Sequence, residues 1–103
     1  MNVSLIMTWN LKPDIEQEYF EFVVRDWVPS TTRLGLQTVA AWYTAYRVDM
    51  DVPMIRVEGV TETLDEMRRI LKHPDWHALQ ERLSEYVEDY SQKALYTTGE
   101  FLL

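Results

Sequence analysis

The chain has 103 residues, a length that suits one domain with a hydrophobic core of its own. Apolar residues make up 47 % and aromatic residues 13 %, which excludes a disordered chain. The net charge of −7 argues against binding to nucleic acid or anionic membranes, and the lack of cysteine excludes disulfides, thiolate nucleophiles and iron–sulfur sites.

Nothing in the sequence divides the chain or directs it to a membrane. There is no linker, internal repeat or low-complexity tract, so we expect a single domain over residues 1–103. The N-terminus lacks the charged and apolar regions of a secretory signal, and no apolar run is long enough to span a bilayer. We therefore expect a cytoplasmic protein.

The N-terminal segment predicts a strand followed by a helix. Every second residue of the strand is apolar, namely Val3, Leu5, Met7 and Trp9. Pro13 suits the first position of a helix, and apolar residues at helical spacing continue to Trp27. Pro29 is expected to end or kink this helix near Trp27, and Gly35 to form the exit into the next strand.

Residues 35–63 predict a long β-hairpin. Two runs rich in β-branched and aromatic residues flank a short turn that contains Asp49, Asp51 and Pro53. The first of these strands is apolar on both sides, with Val39, Ala41, Tyr43 and Ala45 on one and Ala40, Trp42 and Tyr46 on the other. On the second strand, Arg56 and Glu58 share one face.

The C-terminal part predicts two more helices and a last strand. Thr63 and Glu66 match a capping box, so a helix should start there. His73 and Pro74 break it, and Pro74 opens a further helix. The apolar stripe of that helix is predicted to consist of Trp76, Leu79, Leu83, Val87 and Tyr90, and Lys93 to Leu103 to form the final strand.

The resulting order, β-α-β-β-α-α-β, belongs to the α+β class. It predicts the ferredoxin-like arrangement, in which helices cover one face of a four-stranded antiparallel sheet. A sheet that is apolar on both faces must cover both, and a second copy of the chain is the economical cover. We therefore predict a homodimer in which the two sheets face each other.

The whole chain resembles the dimeric α/β-barrel superfamily. The resemblance lies in the element order, the glycine before strand two and the helix break His73-Pro74-Asp75-Trp76. This superfamily includes the antibiotic-biosynthesis monooxygenase-like, EthD-like, stress-responsive barrel and NIPSNAP-like families. The resemblance implies a dimeric α/β barrel whose interior holds a small, largely apolar ligand. Its members range from cofactor-independent oxygenases, isomerases and haem-handling enzymes to proteins without known activity, and no catalytic motif is matched here.

The candidate ligand site is the sheet face without helices, which becomes the barrel interior in a dimer. Arg56 and Glu58 are predicted on it, either as partners of a ligand or as a structural ion pair or solvated charges. Trp42 and Tyr46 suit either a pocket for a flat ligand or a dimer interface. Asn10, at the end of the first strand, either bonds a ligand carbonyl or caps a turn, and the turn is favoured.

The two histidines do not predict a metal site. His73 and His77 are spaced i, i+4, but Pro74 places His73 outside the regular helix, and no carboxylate completes a ligand set. We expect a capping role for His73, and neither a metal nor another cofactor.

Two functions remain open from sequence. One is a small-molecule-binding protein with a cavity for an apolar or aromatic ligand. Such a protein can act as a cofactor-independent monooxygenase- or isomerase-like enzyme, with Arg56 stabilising an enolate and Glu58 or a tyrosine handling the proton. The other is a non-enzymatic oligomeric module whose barrel is filled by its own side chains.

Overall fold

A four-stranded antiparallel sheet forms one layer of the molecule. The computed structural model describes residues 2–44 and 53–96. The strands are β1 (Val3–Leu11), β2 (Gln37–Tyr43), β3 (Ile55–Thr61) and β4 (Val87–Tyr96), and they lie in the order β2-β3-β1-β4. This is the ferredoxin-like order, so the predicted fold class is confirmed.

Helices cover one face of this sheet. Between β1 and β2, the chain forms α1 (Glu16–Phe22), a π-helical segment (Val23–Trp27) and α2 (Val28–Leu34) in direct succession. Between β3 and β4 it forms α3 (Leu64–Lys72) and α4 (Pro74–Leu83). In the part of the chain that is described, no helix has the length and apolar character needed to cross a membrane.

The hydrophobic core fills the space between helices and sheet. Alternate residues of β1 point into it and are at most 1 % exposed: Val3, Leu5, Met7 and Trp9. The helices contribute Trp27, Met67 and Ile70, which are equally buried. The strand period of two and the helical period of 3.6 bring these apolar sets to the same side.

The first helical region differs from its prediction at the start and in the middle. It begins at Glu16 rather than at Pro13, because the chain turns at Asp14, which has a φ of 59°. It also continues beyond Pro29, which lies in the first turn of α2. A proline removes the N–H of a helical turn and crowds the preceding one, and the wider π-helical segment directly before it relieves this conflict. Gly35, with a φ of 105°, ends α2 as predicted.

The two predicted caps of the C-terminal helices are confirmed. The Thr63 side-chain oxygen accepts a hydrogen bond from the Glu66 backbone N–H at 3.1 Å and so caps α3. His73 caps α4, since its Nδ1 accepts from the Asp75 backbone N–H at 3.0 Å. These bonds satisfy backbone donors that the first helical turns leave without a partner.

The last strand begins earlier than predicted. Val87 and Tyr90, which the sequence pattern assigns to the preceding helix, lie in β4 because α4 ends at Leu83. A bulge interrupts the pairing of β4 with β1, and Asp89 has a φ of 57° there. Such a bulge disturbs the alternation that would reveal the strand in the sequence. Residues 97–103 of the predicted strand lie outside the described residues.

The predicted hairpin is present and contains an irregularity in β2. Its strands pair antiparallel, and the Thr44 N–H donates to the Met54 carbonyl at 2.8 Å beyond the last strand pair. Thr38 opposes Gly59 and Ala40 opposes Glu58, so the residue between them is extra. The predicted turn around Asp49 and Asp51 lies outside the described residues.

Candidate functional site

The uncovered sheet face carries the two predicted charged residues. In β3, Ile55 and Val57 are buried towards the helices, while Arg56 is exposed and Glu58 is partly buried on the other side. The strand register sets Arg56 opposite Thr8 of β1. The predicted sharing of one face is therefore observed, and the role of these side chains in a site stays a proposal.

Arg56 contacts an aromatic ring rather than a carboxylate. Its guanidinium carbon lies 5.2 Å from the centre of the Trp42 ring, on the neighbouring strand β2. Among the described residues it makes no salt bridge with Glu58 or any other acidic side chain. The alternative of a structural Arg56–Glu58 ion pair therefore has no support within one chain. The Trp42 side chain stays 51 % exposed.

Asn10 has a structural position at the end of β1. Its Oδ1 accepts a hydrogen bond from the Met54 backbone N–H at 2.8 Å, and its Nδ2 donates to Asp89 Oδ2 at 3.1 Å. Asn10 thus connects β1 with the residue before β3 and with the bulge of β4, which fits the favoured turn role. Tyr46, also predicted as a site residue, lies outside the described residues.

A cavity of about 150 Å³ lies on the opposite, helical side of the sheet. We call it the Tyr19 cavity. It is partly open and is bordered by α1, the π-helical segment, the start of α2 and the strands β1, β2 and β3, and most of its lining is aromatic or aliphatic. Of the predicted site residues that the structure describes, Trp42 also borders this cavity.

Two aromatic residues provide the first polar group of the Tyr19 cavity. The Trp9 indole N–H donates a hydrogen bond to the Tyr19 hydroxyl at 3.0 Å, and both residues are almost completely buried. Burial raises the pKa of Tyr19 to about 12, although the bond from Trp9 acts in the opposite direction. The phenol is therefore protonated at neutral pH, and its own hydrogen can be donated to a ligand.

Thr38 provides the second polar group. Thr38 lines the cavity, and its hydroxyl is buried and has no hydrogen-bond partner among the described residues. A buried hydroxyl without a partner is uncommon in native proteins and costs about 1–3 kcal/mol. The bulge after Thr38 turns this residue towards the helices, whereas strict alternation would group it with Ala40 and Trp42 on the other face. No signal in the sequence indicates this change, so Thr38 is not among the site residues predicted from sequence.

The π-helical segment shapes one side of the Tyr19 cavity. Val23 and Trp27, at its two ends, both line the cavity. The Trp27 ring packs edge-on against Trp9 with 6.0 Å between ring centres. Single π-helical turns inside helices occur frequently at functional sites. Here the turn places the Trp27 ring next to the Trp9–Tyr19 pair.

The described residues contain no cluster suited to a metal ion. Within residues 2–44 and 53–96, no three histidine, aspartate or glutamate side chains are grouped closely enough to hold one. His73 uses its Nδ1 to cap α4, and His77 is exposed on the same helix. The arrangement therefore gives no support to a metal function for this histidine pair.

Comparison with known proteins defines the fold. No family model and no curated protein matches the sequence. Among solved structures, a NIPSNAP family protein from Agrobacterium tumefaciens is 15 % identical, with 93 % of this chain and 92 % of that chain covered and a TM-score of 0.68. An EthD family protein from Bacillus halodurans is 13 % identical, with 93 % and 98 % covered and a TM-score of 0.70.

A third similar structure is described as dimeric. It is a protein of unknown function with a ferredoxin-like fold from Bacteroides fragilis, 15 % identical, with 90 % of this chain and 93 % of that chain covered and a TM-score of 0.59. Identities this low establish the fold and not the activity. The chain therefore has the ferredoxin-like fold that NIPSNAP and EthD proteins share, as the sequence resemblance predicted, without being assigned to one of these families.

Proposed function

We propose that this protein binds a small, largely apolar aromatic ligand in the Tyr19 cavity. The observation that carries the proposal is the buried hydroxyl of Thr38, which has no described partner although Thr38 lines a largely apolar cavity. Small-molecule sites typically combine an apolar lining with a few polar groups that fix the orientation of the ligand. The hydroxyls of Thr38 and Tyr19 would provide those groups.

The size of the cavity limits the ligand. Apolar cavities of about 150 Å³ accommodate a single benzene-sized ring, and the Tyr19 cavity has about this volume. Tyr19 can donate a hydrogen bond, and the Thr38 hydroxyl can donate or accept one. One aromatic ring with a hydroxyl or carbonyl oxygen matches this combination. Polycyclic compounds would extend past Phe20 and Tyr43, which are about half exposed at the border of the cavity.

The geometry favours ligand binding over acid–base catalysis. The described lining of the Tyr19 cavity includes no carboxylate and no imidazole. Tyr19 stays protonated at neutral pH and so is a donor rather than a base. A monooxygenase- or isomerase-like reaction would need a substrate that forms its carbanion without a strong base from this lining. Binding is therefore the function that the site supports best.

The uncovered sheet face is proposed to pair with a second copy of the chain. Trp42 is half exposed on it, and the face combines the positive Arg56 with the negative Glu58. In a two-fold interface each patch meets its own copy, so a face with both charges can be self-complementary. The similar protein from Bacteroides fragilis is described as dimeric. In this dimer, Arg56, Glu58 and Trp42 would line the barrel interior, either around a ligand or packed against each other.

Calorimetric titration with acetophenone and toluene tests the ligand site. The two rings are similar in size, but only acetophenone has an oxygen that Thr38 or Tyr19 can bond. Thr38→Val should weaken acetophenone binding by about two- to tenfold, the value of one hydrogen bond, and leave toluene binding unchanged. Tyr19→Phe is less suitable because it would also leave the Trp9 N–H without its acceptor.

Thr8→Val is the matched control. Thr8 is also a strand threonine, but it lies opposite Arg56 on the uncovered face. This variant should bind both compounds as the original protein does. Absence of binding for either compound, or equal weakening by Thr8→Val and Thr38→Val, would contradict a ligand site in the Tyr19 cavity.

A further inference from the structure

A second, larger concavity lies among the helices and shares no lining residue with the Tyr19 cavity. It has a volume of about 490 Å³ and lies between the C-terminal end of α2 and the junction of α3 with α4. Arg33, Arg69 and Arg82 line it, together with His73 and Ser30. We call it the arginine groove.

The charge of the arginine groove is opposite to that of the chain. Three of the seven arginines line it, although the net charge of the protein is −7. Asp75 is the acidic residue of the described lining, and its side chain is 79 % exposed. Gathering positive side chains in one concavity is unfavourable unless a negative partner offsets their repulsion. The groove is therefore electrostatically suited to an anion.

Two of the three guanidinium groups form no salt bridge within the described part of the chain. Arg82 forms a salt bridge with Asp26, with 3.1 Å between Nη2 and Oδ2. Arg33 instead donates to the Ser30 hydroxyl at 3.0 Å, and Arg69 donates to the Leu34 carbonyl at 3.3 Å. Neither of these two makes a salt bridge with a described residue. Each contact orients a guanidinium group while leaving most of its five N–H donors available.

His73 adds a further donor to the same groove. Because its Nδ1 accepts the Asp75 backbone N–H at 3.0 Å, the N–H of the imidazole lies on Nε2. The cap thus fixes the tautomer of the imidazole and keeps one N–H for another partner. The groove therefore offers an anion the guanidinium groups of Arg33 and Arg69, which make no salt bridge with a described residue, and the imidazole N–H of His73.

We propose that the arginine groove binds a small organic phosphate. Guanidinium groups bind phosphate oxygens through paired hydrogen bonds, and a phosphate dianion accepts from more donors than a single carboxylate does. The volume lies in the usual range of roughly 300–1,000 Å³ for small-molecule sites. A long polyanion such as nucleic acid is excluded as the partner, because the acidic remainder of the chain repels it.

Calorimetric titration with glycerol 3-phosphate tests this proposal, with glycerol as the uncharged comparison and citrate as the carboxylate comparison. The original protein should bind glycerol 3-phosphate saturably with one site per chain and should not bind glycerol. The double variant Arg33→Gln/Arg69→Gln should bind it at least about tenfold more weakly, because each substitution removes a charge-assisted contact.

The double variant Arg25→Gln/Arg68→Gln provides the matched control. It removes the same charge from two exposed arginines that do not line the groove, and it should change the affinity by less than about twofold. If the groove variant does not fold, the single variant Arg33→Gln is compared with the single variant Arg25→Gln. The Arg33 side chain bonds only the Ser30 hydroxyl among the described residues, in an exposed contact, so its replacement should not prevent folding.

Three results would overturn the proposal. The first is the absence of saturable binding of glycerol 3-phosphate. The second is equal weakening by the groove and control variants, which would show general attraction rather than a site. The third is tighter binding of citrate than of glycerol 3-phosphate, which would assign the groove to polycarboxylates. Acetophenone binding in the Tyr19 cavity should be unaffected by all these variants, so the two proposals can fail independently.

Discussion

At the residue scale, the hydroxyls of two threonines show how differently one polar group can affect the stability of the protein. Thr31 is fully buried in α2, and its hydroxyl donates to the Val28 carbonyl at 3.0 Å. The hydroxyl of Thr38, which lines the Tyr19 cavity, is buried without a described partner. The cost of burying a polar group is compensated at Thr31 and not at Thr38. This difference is the reason for placing ligand binding at Thr38.

We predict that Thr38→Val stabilises the ligand-free protein by about 1–3 kcal/mol, because valine replaces the unpaired hydroxyl with a methyl group. Thr31→Val is the matched control and should destabilise by about 1 kcal/mol, since it removes a hydrogen bond that is made. Urea unfolding of both variants measures these free energies of unfolding. Destabilisation by Thr38→Val would show that its hydroxyl is satisfied in solution and would contradict a ligand site at this hydroxyl.

At the element scale, regular elements were predictable and irregular ones were not. The alternation of β1 and the capping residues Thr63 and Gly35 are local signals, and the structure bears them out. The π-helical segment and the bulges of β2 and β4 each change the residue count of a turn or strand. Such a change shifts every following side chain relative to a fixed period. Sequence periodicity therefore located the elements but assigned Val87 and Tyr90 to the wrong one, and it made no prediction for Thr38.

Gly59 of β3 packs closely against Leu36, the residue before β2, and this contact predicts the effect of substitutions at both positions. A Cβ atom added at Gly59 would lie 2.7 Å from Leu36 Cγ, and Leu36 is completely buried. Gly59→Ala should therefore destabilise the protein by about 1–3 kcal/mol through overpacking. Leu36→Ala alone should cost about 2–5 kcal/mol through the cavity that it leaves.

The double variant separates overpacking from other effects of the alanine. Without most of the Leu36 side chain, the added methyl group has space. The destabilisation of the double variant should therefore be at least about 1 kcal/mol smaller than the sum of the destabilisations of the two single variants. Thermal or urea unfolding of the four proteins gives this coupling energy. Strict additivity would mean that Gly59 is required for its backbone conformation and not for the close approach of Leu36.

At the scale of the whole molecule, the predicted site and the observed cavity lie on opposite faces of the sheet, and Trp42 is the predicted residue that borders both. The sequence predicted that Arg56, Glu58 and Trp42 belong to the face without helices, and the strand register agrees. It did not predict the Tyr19 cavity on the other face. That cavity depends on how α1 and the π-helical segment pack over the sheet, and this tertiary arrangement is not encoded in the period of any one element.

The uncovered face leads to the last prediction, which concerns the oligomeric state. Light scattering at micromolar concentration should give twice the chain mass of 12.3 kDa, because a sheet-to-sheet interface that stabilises a dimer buries on the order of 2,000 Å². Trp42→Glu should shift the protein towards the monomer, since it places a charge in the apolar centre of the proposed contact. Val24→Glu is the control: Val24 is 71 % exposed in the π-helical segment, on the helical side, and its variant should remain dimeric. A folded monomer of the original protein, or dissociation by both variants alike, would show that the uncovered face does not form the interface.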